Sequence, residues 1–218
     1  MALAIDFVRL TQVPLPEIVT LLNEPRNARH MPLSGTFSIR SAADWVHGKD
    51  RQWEIHGYGP WAVVLDGEFA GWGGFQHEEN GADFALVLLP GHWGNGAEIT
   101  RAALDRGFTD LGLDEVIIAL PRTRNPTRVV ARCGFVPDGD VSYDGAAFRQ
   151  FRLTRDAWAK LSKAVIVDRQ ADDRRPATAP SVDAGPVASP PPAGGSARQS
   201  TVARRTPTAR RSRSRSAR

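Results

Sequence analysis

Two uninterrupted apolar runs, Phe84-Ala-Leu-Val-Leu-Leu89 and Val116-Ile-Ile-Ala-Leu120, flank a helical stretch of about fifteen residues. Neither run shows the alternation of a half-exposed strand, so each reads as a strand covered on both faces. In the stretch between them, about Ala97 to Leu111, residues Ile99, Ala103, Leu104, Gly107, Phe108 and Leu111 fall on one half of the helical wheel, opposite Arg101 and Asp105. Strand, amphipathic helix and strand in this order form a right-handed crossover, so this part of the sheet is expected to be parallel.

The flanking segments read differently. Ala4 to Leu10 has the pattern of a first strand, and Pro14 to Asn23 carries Ile18, Leu21 and Leu22 at helical spacing. Ser41, with Asp44 three residues on, reads as the N-cap of a helix running towards Trp53. Trp61 to Asp66, an Asp66-Gly67 turn and Phe69 to Gln76 predict a hairpin, and Asn80-Gly81 predicts a second turn. After the crossover, Asn125 reads as an N-cap with Pro126 at the first helical position, Gly134 closes that helix, and Ala146 to Leu153 reads as a last strand. The fold class is therefore mixed α/β: an antiparallel meander leading into one βαβ unit, not a doubly wound sheet.

Composition divides the chain. Residues 171–218 contain 10 Arg and 3 Asp, a net of +7, and no aromatic residue; residues 1–170 hold 18 basic and 21 acidic residues, a net of −3. The Pro-, Ala-, Ser- and Arg-rich end cannot bury enough apolar surface to offset its ordering entropy, so 1–165 is expected to be the folded domain and 170–218 a disordered basic tail. One cysteine, Cys133, excludes an internal disulfide and a thiolate zinc cluster, and the five histidines never stand at i, i+4, so no metal is expected. No apolar run is long enough to span a membrane and the first residues lack a signal-peptide pattern, so the expected location is cytoplasmic.

The segment richest in chemistry is Leu89-Pro-Gly-His-Trp-Gly-Asn-Gly-Ala97. A strand ends, three glycines follow within six residues, and a helix begins. Backbone amides and the positive end of a helix dipole then surround a surface bare of side chains, an arrangement suited to phosphate or pyrophosphate. No Lys-Ser or Lys-Thr follows the last glycine, which excludes a P-loop, and Ile99 stands where a dinucleotide fingerprint needs a small residue. The same turn is also compatible with a tight connection that binds nothing.

Pro90-x-x-Trp93-Gly94-x-Gly96, after the strand Ala82-Asp-Phe-Ala-Leu-Val-Leu-Leu89, resembles the GNAT superfamily of acyl-CoA-dependent N-acyltransferases, in the branch of ribosomal-protein, aminoglycoside and polyamine acetyltransferases. Arg132-Cys133-Gly134-Phe135 is similar to the close of that branch's following helix, and the resemblance spans roughly residues 3–160. It implies acetyl transfer to an amine, either a small molecule or a protein N-terminus, with acetyl-CoA as co-substrate. It also implies two parallel strands splayed apart, the strand containing Leu86 and Leu88 paired with pantetheine, and the pyrophosphate on Gly91, His92, Trp93, Gly94, Asn95, Gly96 and Ala97. Thr123 stands where the family usually has an Asn on the cofactor. Pro126 replaces a usual Ser, and Val130 replaces the Tyr that many members use as general acid.

For catalysis, Asp83 opens the strand before the turn; it is placed either to handle the acceptor's proton or to solvate the adjacent turn. Glu78 and Glu79 read as turn solvation, His77 as a surface residue with a general base as the alternative, and Cys133 as a small buried hydrophobe. The net −3 of the domain suits a cationic amine. A second reading, favoured by Pro126 and Val130, is an acyl-CoA-binding domain of low activity, tethered to RNA or ribosomes through weak nucleic-acid contacts of the Arg-rich tail.

Overall fold

The computed structural model describes residues 3–28, 35–126, 130, 132–143 and 145–173, with 165–173 described by backbone alone. Strands β1 (Ile5–Arg9), β2 (Pro60–Leu65), β3 (Glu68–Glu78), β4 (Gly81–Leu88), β5 (Glu115–Pro121), β6 (Val136–Tyr143) and β7 (Ala146–Thr154) form one sheet in the order β1-β2-β3-β4-β5-β7-β6. Every neighbouring pair is antiparallel except β4 and β5, which are parallel. Helices α1 (Leu15–Leu22), α2 (Pro25–Ala28), α3 (Ile39–Asp50) and α4 (Gln52–His56) come between β1 and β2; α5 (Gly96–Thr109) makes the crossover, and α6 (Arg155–Asp173) follows the sheet. This is the mixed α/β meander and crossover expected from the apolar pattern.

The sheet is covered on both faces. On one, Phe75, Phe84, Val116, Ile118, Phe151 and Leu153 pack with Ala103, Leu104 and Phe108 of α5 and Trp158 of α6. Gly107 of α5 is the closest approach: a Cβ there would lie 2.4 Å from Cζ of the buried Phe75 ring. On the other face, Ala62 and Trp72 pack with Ile18 and Leu21 of α1 and Ala42 and Val46 of α3. Ile117 of β5 is 0% exposed, as a strand covered on both sides requires. β4 departs from that expectation: Ala85, Leu86 and Val87 are only partly buried, because they border an open cleft.

Local signals account for most boundaries and explain the exceptions. Asp66 (φ 49°) and Gly67 (φ 86°) both adopt the left-handed conformation that a two-residue hairpin with the right twist demands. The next hairpin turns on Glu79-Asn80, with Gly81 already paired to Glu78, rather than on Asn80-Gly81. The N-cap of α3 is Ser38, not Ser41; Ser41 is the third helical residue, and its Oγ accepts from the Ser38 amide at 2.8 Å, completing a capping box. β6 escaped the apolar pattern because it is an edge strand with mostly polar residues, a proline and a bulge between Pro137 and Asp140. The helix expected from Asn125 to Gly134 is described in part: the Val130 amide donates to the Pro126 carbonyl, and Gly134, at φ 75°, donates to the Val130 carbonyl. α6 continues three residues past the expected boundary at 170; the rest of the expected tail lies outside the described residues.

Candidate active site

β4 and β5 share one registered pair, Asp83 with Ile117. Beyond it the strands diverge towards their C-terminal ends, opening a cleft of about 1520 Å³ between Ala85–Leu88 and Ile118–Pro121. Asp83 sits at the apex of this fork. Its Oδ1 accepts the Ala119 amide at 3.1 Å, so a side chain takes the donor that a continued ladder would offer to the β4 backbone. Divergence of parallel strands at the carboxyl ends of a sheet is a common way for an α/β protein to make a ligand crevice.

At the wide end, the glycine-rich turn is a 3₁₀ helix, Pro90–Asn95, leading directly into α5. It is tighter than the bare loop expected: the His92 amide is already bonded to the Leu89 carbonyl at 2.9 Å. The Trp93 indole is 50% exposed and anchors the turn by donating from Nε1 to the Leu88 carbonyl at 3.0 Å, while Asn27 donates to the same oxygen at 3.1 Å. The Arg26 guanidinium lies over the Trp93 ring at 5.6 Å. No side chain caps α5, whose first-turn amides have no carbonyl within that helix.

Among the described residues, neither conformation nor packing calls for the three glycines of the turn. Gly91, Gly94 and Gly96 are absent from the residues at left-handed φ. A Cβ at Gly91 or Gly94 would meet nothing within 4 Å, and one at Gly96 only Leu86 Cδ2 at 4.0 Å. Neither strain nor packing calls for glycine, which leaves close approach by something outside the fold as its physical rationale.

On the α3 side of the sheet the cleft becomes a polar chamber. Gln76 and Asp83 are cross-strand partners, as are Glu78 and Gly81, and the paired residues project on one face with Trp72. Lys49 of α3 donates to Gln76 Oε1, its ammonium 5.9 Å from the centroid of Trp45 and 5.7 Å from that of Trp72. Burial raises the Asp83 carboxyl to about 7, helped by the negative charge of Glu78 and opposed by the Ala119 amide and Lys49. Burial also lowers the Lys49 ammonium, against the pull of Glu78 and Asp83. Tyr143, edge-on to Phe148 at 5.4 Å, is pushed up to about 12, first by burial and then by Asp83 and Glu78, and its hydroxyl has no hydrogen-bond partner among the described residues.

Residues 6–136 match the family model described as an acetyltransferase (GNAT) domain. The chain belongs to the GNAT acetyltransferase family. Solved structures with the same fold include an acetyltransferase from Agrobacterium tumefaciens (20% identity, TM-score 0.57, covering 70% of this chain and 94% of that one). A spermidine N-acetyltransferase from Vibrio cholerae, in complex with CoA and spermine, matches at 16% identity and TM-score 0.56, over 72% of this chain and 98% of that one. An aminoglycoside acetyltransferase in complex with coenzyme A matches at 14% and 0.56, over 74% and 99%. At these identities the likeness is one of fold.

In this GNAT domain the cleft brings together Asp83, Leu86, Leu88, Trp93, Gly96 and Thr123 of the residues singled out from sequence. Gly91, His92, Gly94 and Asn95 lie on the adjoining turn and Ala97 in the first turn of α5, all outside the cleft lining. Asp83 Oδ1 accepts the Ala119 amide at the fork, and Glu78, read from sequence as turn solvation, lines the chamber with it. His77 stands apart, stacked on His56 at 3.7 Å with Tyr58 Oη 3.0 Å from its Nδ1. Val130 packs against the main core, where it offers no proton. Sequence reasoning missed Lys49, Trp45, Trp72, Gln76 and Tyr143, all lining the cleft. Two signals were available: Trp45 and Lys49 at i, i+4 on one helix, and Trp72 and Gln76 at even spacing on one strand. Tyr143 had none, since its strand went unrecognised. Among the described residues no three His, Cys, Asp or Glu side chains are grouped to hold a metal, and no helix is long and apolar enough to cross a membrane.

Proposed function

We propose that this domain transfers the acetyl group of acetyl-CoA to a primary amine by direct attack, with the cofactor entering at the glycine turn and the acceptor from the chamber on the α3 side. The observation that carries the reading is the trio Gly91, Gly94 and Gly96, left without side chains that the fold itself would tolerate. Pyrophosphate then lies against the turn and the start of α5, where amides and helix dipole favour negative charge. Pantetheine takes up the edge of β4 that β5 vacates, along Leu86 and Leu88, and Thr123 borders the same groove across the fork.

The chemistry follows from the fork. The neutral amine attacks the thioester carbonyl carbon, and amides of β4 left unpaired by the divergence stabilise the oxyanion. The C–S bond breaks, the amine nitrogen gives up its proton to Asp83, and the departing sulfur receives one. Asp83 is poised for this because half of it is ionised near neutral pH, where a base accepts a proton without being too weak to hold it. With Val130 apolar, the uncommitted hydroxyl of Tyr143 is the donor assigned to the leaving thiolate. Calorimetry tests the cofactor half: Gly96→Val should abolish acetyl-CoA binding while leaving the melting temperature near wild type, since its Cβ meets only Leu86. Equal binding by wild type and variant would overturn the assignment of the turn.

A further inference from the structure

The chamber beside Asp83 holds hydrogen-bond donors and carboxylates together, and the two sets describe a ligand. Its donors have too few acceptors. Lys49 carries three donors, of which Gln76 Oε1 takes one; the ion pairs among the described residues do not include it. The faces of Trp45 and Trp72 support its positive charge but leave its remaining N–H groups without an oxygen. Trp72 is 5% exposed, and its indole Nε1, a pure donor, has no hydrogen-bond partner among the described residues. Buried donors without acceptors are costly and uncommon in folded proteins. The carboxylates of Asp83 and Glu78 line the same cleft, close enough to act electrostatically on Lys49.

Resting on the reading of this cleft as an acetyl-acceptor site, we infer that the acceptor is a small zwitterion: an amine held at Asp83 and Glu78, bearing a carboxylate that receives Lys49 and the Trp72 indole N–H. A carboxylate matches the donor set, with two oxygens and one charge for one ammonium and one N–H. A phosphate dianion is a poorer match, having no guanidinium fork to meet it and two carboxylates nearby. A polyamine is poorer still, because each additional ammonium brings positive charge towards Lys49 with nothing for Lys49 to donate to.

The test uses the full chain, acetyl-CoA and matched acceptor pairs: standard α-amino acids, each beside its primary amide, with spermidine, spermine and phosphoethanolamine alongside. The amide's amine is less basic, so at neutral pH more of it is free base, and without recognition of the carboxylate the amide would be the better acceptor. The expected result is at least one amino acid whose kcat/KM exceeds that of its amide, and of the polyamines, by about 10-fold or more, the scale of one charge-assisted hydrogen bond. Lys49→Met should collapse that ratio towards one. Trp72→Phe, which keeps the ring face and removes the N–H, should reduce it several-fold. Best acceptors that lack a carboxylate, no turnover of any amino acid by enzyme that binds acetyl-CoA, or an acid-to-amide ratio untouched by either substitution would overturn the inference. A full chain that does not bind acetyl-CoA in calorimetry would instead overturn the cofactor reading beneath it.

Discussion

Replacing Asp83 by Asn should make the protein more stable and less active, and the gain in stability should depend on pH. Holding the carboxyl at about 7 instead of 3.8 means that ionised Asp83 opposes folding. At ~1.4 kcal/mol per pH unit the full penalty is about 4 kcal/mol. Contact with water in the cleft screens part of it, so a penalty of about 1–2 kcal/mol is the working value. The sign follows from proton uptake: between pH 3.8 and about 7 the folded state binds more protons than the unfolded chain, so stability falls as pH rises through that window. Asn keeps an oxygen for the Ala119 amide but never ionises. Its advantage should therefore be largest above pH 7, roughly 3–6 °C in melting temperature for a domain of this size, and shrink towards zero near pH 4. Thermal unfolding of both proteins across that range measures it, alongside turnover, which should fall by about 10²–10⁴ if Asp83 accepts the acceptor's proton. An Asn variant that loses stability at every pH, or gains equally at both ends, would refute the desolvation argument.

Other expectations are smaller in scope. Wild-type kcat/KM should rise with pH through about 7 as Asp83 ionises, and a flat profile across that range would remove it as the base. Tyr143→Phe should slow turnover while leaving acetyl-CoA affinity unchanged in calorimetry, because its hydroxyl holds no hydrogen bond among the described residues. Gly107→Ala should cost about 1–3 kcal/mol in urea unfolding, since its Cβ would press on the fully buried Phe75 ring. Removing residues 174–218 takes away 10 Arg and 1 Asp. It should leave melting temperature and acetyl-CoA binding intact and abolish any low-salt retention on RNA, which filter binding would read.

What could be read from the chain tracks how strongly each feature was tied to local pattern. The parallel crossover was legible because the apolar runs Phe84–Leu89 and Val116–Leu120 flank a helix with one apolar face, although the cleft leaves Ala85, Leu86 and Val87 only partly buried. The glycine turn and Asp83 could be singled out for the same reason: both lie on, or next to, that unit. The chamber could not be assembled, because it joins Lys49 of α3 to Gln76 of β3 across 27 positions, and only pairing of β3 with β4 brings either to Asp83. β6 and its Tyr143 were hidden by composition, since an exposed edge strand with Pro137 and Gly139 carries the signature of a loop. Ser41 was mistaken for a cap because Ser38 and Ser41 share one capping box, and a sequence shows the residue types but not which of the two starts the helix.

The central claim, that this cleft moves an acetyl group from CoA to an amine, is tested most directly by following free thiol as acetyl-CoA is mixed with wild-type enzyme and individual amines. The expected result is thiol release that appears only with certain amines, saturates with them, yields the N-acetylated product in equal amount, and vanishes in Gly96→Val. Acetyl-CoA bound tightly by the wild type, yet released as thiol at the same rate with and without every amine, would contradict it.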